Sequence, residues 1–557
     1  MMEALVVAVA VVIAGVLVYV FVFRWEAPRK SWCVMFYLTS NTPASATPVN
    51  RPDAETGVPA AAPAAATLDQ KLDQVVNDHI RKLPCATAAG IAANPAWDDV
   101  YVAYRAIWDD PFRKPEARVV RPELSAPTQT YFPGETVFDA EYAIDFTKDI
   151  TLFFEWAYEN CPAEHYAVFF WGHSMGPAGF FQPSEKPVVV SPLEALLMRV
   201  VSLLTGTSWT GNLSVPAISD AIGAIVQQRL KDGTLPPKPD AERTVGISPG
   251  GAGVPGDPDA PIVFTVGQVI PKVDVVLFQD CWMGTLETAF ELQDDARYIV
   301  SSQSLVPAGF KPNKQLGAVW PYKNLIDTFL TQPNFAPPMM TVLCNFFSGV
   351  GRPAGEPPDY NRYPATKILF SLVDCDTTAG SVSSAMQAEW QALVQALYAL
   401  GRPGRSAVIE QSLEKAGRLF ELDGLSIRVG DQALVDVLTL CAYLQTPVQW
   451  PATAGGTAPE RAAIVSAASV LQARVQALVA SRFQVPAPAL GDLPYTGVAV
   501  LYKPFVIWGD DPYIMAAFRS SYEGLRFSKE TIVMPPPAGG VDECSWTQYA
   551  FDRHKWF

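Results

Sequence analysis

The sequence predicts an α/β fold, a mostly parallel sheet with helices on both faces. An N-terminal transmembrane helix precedes it and a C-terminal α+β module follows. Three observations predict this. The runs YAVFFW (166–171) and VDVVLFQ (273–279) are apolar almost throughout, as strands covered on both faces are. Strand-like and helix-like stretches alternate between about 30 and 300, which favours parallel strands joined by crossover helices. Residues 4–23, ALVVAVAVVIAGVLVYVFVF, form an unbroken apolar run that as a helix spans about 30 Å, the thickness of a bilayer core.

The elements follow in chain order. Met1-Met2-Glu3 is not a basic leader and no small-x-small cleavage site precedes Arg24-Trp25, so the run 4–23 reads as an uncleaved anchor rather than a signal peptide. Arg24, Arg29 and Lys30 follow it, and the positive-inside rule then slightly favours a cytoplasmic body, the side remaining open. WCVMFYL (32–38) is a β-rich strand. Residues 42–66 are a Pro/Ala-rich insert of polyproline character. Leu68, Leu72, Val75, Val76, Ile80 and Leu83 fall at helical spacing over 67–83. DVYVAYRAIW (99–108) is a second strand, a helix follows near 145–160, and 166–171 is the third strand. SPLEALLMRVVSLLT (191–205) is too short and too charged to span, and reads as a buried or lid helix. A helix near 217–230 precedes a Gly/Pro/Asp loop over 231–262. Strand 273–279, a helix through about 293 and strand 296–303 complete the first domain, placed at 31–364. Residues 365–557 form the second module, largely helical over 378–480 and strand-like at GVAVLYKP (497–504).

Composition removes several function classes. The 557-residue chain is 49% hydrophobic, enough for a large core. A net charge of −15 and the absence of a Lys/Arg cluster argue against a nucleic-acid partner. The eight cysteines are scattered without a CxxC, which excludes a zinc ribbon and a dense disulfide framework. No metal site is expected. A histidine-dependent mechanism must choose among four residues, His79, His165, His173 and His554.

FFWGHSMGPAG (169–179) offers two chemistries. As G-x-S-x-G it would be a nucleophile elbow with Ser174 as a serine-hydrolase nucleophile. That motif needs a helix directly after the serine, and Pro177, Gly179 and Pro183 oppose one. The histidine that follows Ser174 in the chain is His554, near the C-terminus. Alternatively, His173 ends a buried strand and serves as a base for a nucleophile on a neighbouring strand. VDVVLFQDC provides that nucleophile in Cys281, followed by Trp282-Met283-Gly284 opening a helix whose dipole would favour the thiolate. Both residues follow apolar strands at the same sheet edge, where open α/β sheets keep their sites.

Several ordered blocks resemble the clostripain-like cysteine peptidases, relatives of caspases, legumain and gingipains. WCVMFYLTSN is similar to the family's first strand, and PAEHYAVFFWGHSMG to its strand-and-histidine block. FQDCWMGTLETAFELQDDARYIVSSQSLVPAGF is similar to its cysteine block, and GVAVLYKP with SYEGLRFSKET to its closing segments. The resemblance implies a caspase-like fold. It implies a cysteine endopeptidase acting on protein or peptide substrates through an acyl-enzyme, membrane-anchored if the run 4–23 is the anchor it reads as. His173 would be the general base and Cys281 the nucleophile, with the backbone N–H groups of Ser174 and Cys281 holding the oxyanion. Gln279, Asp280 and Ser302 would line the substrate pocket. No calcium loop is identifiable, although some relatives use calcium, and no other cofactor is implied.

The departures from the family concern specificity. The family has His-Gly where this chain has His173-Ser174. It has Asp two residues before the cysteine, in a pocket selecting Arg or Lys, where this chain has Gln279; its Ser-Glu is here Ser302-Gln303. A neutral amide does not balance a buried guanidinium. A selectivity other than strict Arg/Lys is therefore expected. The segment 231–262 is the expected place for an activating cut, as relatives are often zymogens. The alternative is a catalytically inactive, membrane-anchored binding or scaffold protein that keeps the fold.

Overall fold

The computed structural model describes residues 29–40, 67–108, 115–122, 146–174, 176–180, 213–231, 272–304, 306, 316–350, 368–376, 382–400, 407–408, 434–485, 497–501 and 519–530. The apolar run 4–23, the insert 42–66, the segment 191–205, the loop beyond Lys231 and His554 lie outside the described residues.

The central sheet has eight strands in the order β3-β2-β1-β4-β5-β6-β7-β9. They are β1 (Lys30–Thr39), β2 (Val100–Ile107), β3 (Glu116–Val120), β4 (Ala163–Trp171), β5 (Val273–Phe278), β6 (Ala296–Ser302), β7 (Ile368–Asp374) and β9 (Val479–Val485). β2, β1, β4, β5 and β6 pair in parallel. β3, β7 and β9 add antiparallel edges. The mostly parallel sheet is thus as the sequence predicts. β3 and β7 are additions the periodicity did not mark. β7 and β9 come from the region after residue 365, so that region extends the main sheet as well as supplying helices. β8 (Leu434–Asp436) pairs separately with β10 (Ala499–Leu501), the described part of the strand-like stretch 497–504.

Two hydrophobic layers cover the sheet, and strand alternation decides which residue enters which. In β1, Cys33, Met35 and Tyr37 enter one layer. Trp32, Val34, Phe36 and Leu38 enter the other. The first layer packs α3 (Phe146–Asn160) and α4 (Val215–Lys231), with α5 (Leu286–Leu292) and the helices of the C-terminal region. α3 forms because Phe146, Ile150, Phe153, Phe154 and Ala157 recur at three- and four-residue spacing and make one buried stripe. The second layer packs α1 (Leu68–Asp73), the turns that follow it, α6 (Tyr322–Thr331) and α7 (Ala336–Ser348). The expected helix over 67–83 is real but changes winding, being α over 68–73, π over 74–79 and 3-10 over 80–82. A capping box starts it, with Thr67 Oγ1 accepting from the Gln70 N–H at 3.2 Å and Gln70 Oε1 accepting from the Thr67 N–H at 3.0 Å. α2 (Ala88–Ala93) lies on the surface. α8 (Val382–Ala399), α9 (Val437–Leu444), α10 (Ala458–Leu478) and α11 (Arg526–Glu530) complete the described helices with defined bounds.

One charge is deeply buried. Arg105 on β2 donates to Asp149 on α3 through Nε at 3.2 Å and Nη2 at 2.5 Å, and the Tyr37 hydroxyl donates to the same carboxylate at 3.0 Å. Removing one partner alone strands a buried charge, at a cost of about 3–5 kcal/mol.

Candidate active site

The site begins from the register of two neighbouring parallel strands. Phe170 on β4 is the partner of Phe278 on β5, and the Gln279 N–H donates to the Phe170 carbonyl at 2.8 Å. His173 and Cys281 each stand three residues beyond that pair. The two loops are tied directly, because the Ser174 hydroxyl donates to the Cys281 carbonyl. The structure therefore brings His173, Ser174 and Cys281 together at the carboxyl edge of the sheet, as expected for an open α/β fold.

The helix behind Cys281 is a correction. α5 begins at Leu286 with Thr285 as its N-cap, whose hydroxyl accepts from the Thr288 N–H at 3.2 Å. Four residues separate the thiol from that helix, so the dipole stabilisation expected for a thiol at a helix N-terminus is not supplied. The chain turns instead. Trp282 takes φ 59°, the single positive φ of a non-glycine residue among those described. Its N–H donates to Ser304 O at 3.1 Å, and the Gly284 N–H donates to Ser302 O at 2.7 Å. Gly284 is required there, since a Cβ would lie 2.8 Å from the Gln303 nitrogen and the Ser302 carbonyl carbon. A bulky residue at positive φ costs about 1–3 kcal/mol, and these bonds to the end of β6 hold it.

The resting site is electrically neutral. Burial lowers the His173 pKa to about 4, so the imidazole is a free base at neutral pH. Burial raises the Cys281 thiol to about 12; the Val306 N–H, which donates to Sγ at 3.3 Å, opposes this, and the neighbouring Asp280 adds to it. Both side chains keep partial contact with solvent. At rest they are a thiol and an imidazole, not a preformed ion pair.

The expected pocket residues divide between the two faces. Gln279 lies on the face of Val275 and Leu277, where its Oε1 accepts from the Tyr322 hydroxyl at 2.9 Å. Ser302, one strand over, is fully buried; its Oγ lies 3.2 Å from Ser304 Oγ and accepts from the Ser304 N–H at 3.1 Å. Asp280 sits on the opposite face, against Gly172 and near Thr39. A Cβ on Gly172 would come within 2.5 Å of Thr39 Oγ1 and 3.7 Å of Asp280 Oδ1. Asp280 is 1% exposed, and neither carboxylate oxygen meets hydrogen-bond geometry with a described residue. Burial pushes its pKa well up, partly offset by the Gly172 N–H. Tyr322 was not visible from sequence as a site residue. Its Pro-Tyr context at the start of a helix resembles any helix start.

The other described histidines are elsewhere. His165 lies at the amino end of β4, with Nδ1 2.9 Å from Asp274 Oδ1 and its ring stacked on Trp32. His79 follows α1. The serine elbow fails on geometry, because Ser174 is buried, its hydroxyl is spent on a carbonyl, and a 3-10 turn over Gly176–Ala178 stands where a helix would be needed. Among the described residues no group of His, Cys, Asp and Glu could hold a metal ion.

The register sets His173 and Cys281 at matching positions past neighbouring strand ends, and a family comparison bears on the second of these segments. Residues 263–329, which contain Gln279, Asp280, Cys281 and Ser302, match the Clostripain family. The chain thus carries the cysteine segment of a cysteine-type endopeptidase, a class that acts on peptide or protein substrates. No curated protein matches. Three solved structures are similar at low identity. A secreted C11 cysteine protease from Bacteroides thetaiotaomicron, iotapain, has 11% identity and TM-score 0.44, covering 90% of this chain and 99% of that one. An inactive zymogen C11 protease from Parabacteroides distasonis has 12% identity and TM-score 0.38, covering 90% and 99%. A clostripain from Bacteroides thetaiotaomicron in complex with a peptide inhibitor has 14% identity and TM-score 0.24, covering 45% and 87%.

The expected single-pass membrane localisation is corrected. No helix among the described residues is long and apolar enough to cross a membrane, and the run 4–23 lies outside them. The apolar α7 has 13 residues, about 20 Å of helix against a core of about 30 Å, and the longer α10 carries Glu460, Arg461 and Arg474.

Proposed function

We propose that the chain hydrolyses peptide bonds with His173 as general base and Cys281 as nucleophile. The observation that supports it most is the register of β4 and β5, which sets these two residues at matching positions past Phe170 and Phe278, with Ser174 bonded across the gap. His173 takes the thiol proton as sulfur attacks the scissile carbonyl, because the resting thiol is protonated and the imidazole is free to accept. The C–N bond then breaks, the amine leaves with the proton held by His173, and water hydrolyses the thioester. The N–H groups of Cys281 and Ser174 receive the oxyanion. Gln279, with no formal charge, makes strict Arg/Lys selectivity at the residue before the cut (P1) the wrong expectation.

The test is hydrolysis of a fluorogenic peptide library by the full chain, beside Cys281→Ala, His173→Ala and Ser174→Ala. A loss of about 10³-fold or more with the first two and of no more than about 10-fold with the third supports the proposal. Equal loss with Ser174→Ala and none with Cys281→Ala would overturn it. A second reading, a non-catalytic binding protein that keeps the fold, draws on the sheltered thiol, whose pKa is raised to about 12 and which the Val306 backbone holds. No turnover together with slow alkylation of Cys281 would favour it.

A further inference from the structure

We infer that the C-terminal region completes the proposed active site by holding the turn that carries Cys281, and that Asp436 is a positioning residue acting on that turn through Gln303. The inference rests on the proposed peptidase reading and names what keeps its nucleophile in place.

Between Cys281 and Thr285, the cap of α5, no helix or strand supports the backbone. Gly284 is bonded on both sides instead. Its N–H donates to Ser302 O at 2.7 Å, at the end of β6, and its carbonyl accepts from the Ala499 N–H on β10 at 2.8 Å. Thr285 and Ala499 are also joined by a parallel bridge. β10 pairs in turn with β8, where Ala499 stands opposite Asp436, and the Val437 N–H donates to Val498 O at 3.0 Å. Two strands of 3 residues each do not hold together alone. What anchors β8 therefore decides how firmly the turn is held.

Asp436 is that anchor. It is fully buried and gives its two oxygens to two elements. Oδ1 accepts from the Thr439 N–H at 2.8 Å and caps α9. Oδ2 accepts from Gln303 Nε2 at 2.9 Å. A cap needs one oxygen. The second reaches a side chain 133 residues away in the chain. Gln303 is itself buried, and its two neighbours supply the carbonyls that hold the turn, Ser302 for Gly284 and Ser304 for Trp282. Asp436 thus grips both flanks of the turn, β6 through Gln303 and β10 through the strand pairing. Cys441 on α9, kept as a thiol by burial and by Asp436, faces the same carboxylate. A displacement of about 1 Å at a reacting group costs about 10²-fold in rate, so loosening this grip acts on kcat before it acts on binding.

The experiment uses the full chain and a peptide that the parent cleaves, with kcat referred to the folded fraction from a denaturant melt in the assay buffer. Asp436→Ala should lower kcat by about 10-fold or more with KM within about 2-fold. Asp436→Asn is the rescue. Its oxygen can cap Thr439 while its NH₂ donates to Gln303 Oε1, which is buried without a partner among the described residues, once the Gln303 amide turns. Its kcat should lie within about 3-fold of the parent. Gln303→Glu sets two carboxyl groups against each other, and such a pair holds one proton between them at low pH. Its kcat should fall about 5-fold or more between about pH 5 and about pH 8, a limb the parent lacks. Adding Asp436→Asn should abolish that limb, because an amide then faces the new carboxylate. A carboxylate of merely structural role would lower the folded fraction and leave kcat per folded molecule unchanged. That result, or a limb in Gln303→Glu that Asp436→Asn does not remove, overturns the inference and leaves the peptidase standing. Hydrolysis by the parent no faster than by Cys281→Ala overturns both.

Discussion

The two ends of the β4–β5 pair carry the same kinds of residue and treat them oppositely. At the amino end, His165 meets Asp274 at 2.9 Å, and the Tyr166 N–H donates to the other oxygen of that carboxylate at 2.9 Å. At the carboxyl end, the Gly172 backbone N–H is the one group that favours the Asp280 carboxylate, neither oxygen meets full hydrogen-bond geometry with a described residue, and Gln279 Nε2 and Thr39 Oγ1 have no partner among them. Folded proteins satisfy buried polar groups almost everywhere. The satisfied end therefore serves stability, and the unsatisfied end, beside a histidine and a thiol, is where a ligand would complete the bonding.

The sharpest way to break this comparison is to exchange its two ends. His173→Ala and Cys281→Ala should each lower kcat/KM by about 10³-fold or more. His165→Ala should leave it within a few-fold and cost about 1 kcal/mol in a denaturant melt, since the pair is partly solvent-exposed. Similar losses at both histidines would erase the distinction.

Ser174→Ala comes next. It removes the tie to the Cys281 carbonyl but neither reacting atom, so kcat/KM should drop by about 3- to 10-fold. A loss as large as that of Cys281→Ala would revive the serine as nucleophile.

The pH profile tests the burial of His173. A base must be neutral, and burial holds this one neutral down to about 4. The acid limb of kcat/KM should therefore lie near pH 4 instead of the usual histidine range. A limb near 6.5 would show a solvated imidazole. The same shift links to stability. The unfolded chain protonates first as pH falls, so the His173 contribution is present above about 6.5 and is lost toward about 4.

The smallest effect concerns the contact between α5 and the C-terminal region. Glu287 on α5 is fully buried; its Oε1 accepts from the Leu501 N–H at 2.8 Å and the Tyr522 hydroxyl at 3.0 Å, and burial raises its pKa to about 7. The folded state holds this proton longer than the unfolded one. Stability is thus complete below about 4.5 and declines as pH rises toward 7. Glu287→Gln keeps the accepting oxygen and removes the charge, so thermal melts should lose that slope and end a few degrees higher at pH 8. An unchanged slope would place the titration elsewhere.

Much of the proposed site was legible because it is built from strand ends. YAVFFW and VDVVLF are apolar enough to be buried on both faces, and a residue just beyond such a strand has little choice but the sheet edge. That argument picks His173 over His165, which sits before the apolar run, and it picks Cys281 from eight cysteines. It fails where side chains meet across sequence. Tyr322 lies 43 residues from Gln279. The turn after Cys281 was misjudged for a related reason. Trp282-Met283-Gly284 has nothing against a helix locally, and only the bonds from Trp282 and Gly284 to Ser304 and Ser302 force the left-handed residue.

The sequence by itself determined the parallel α/β sheet, its two apolar layers and the edge on which the proposed chemistry sits, because period, apolarity and chain order are properties of neighbouring residues. The tertiary structure alone decided three things. It paired β7 and β9 into the sheet, it moved the helix away from the thiol, and it turned the Gln279 amide with Tyr322. Each depends on hydrogen bonds or register between segments tens to hundreds of residues apart, and no local pattern encodes those partners.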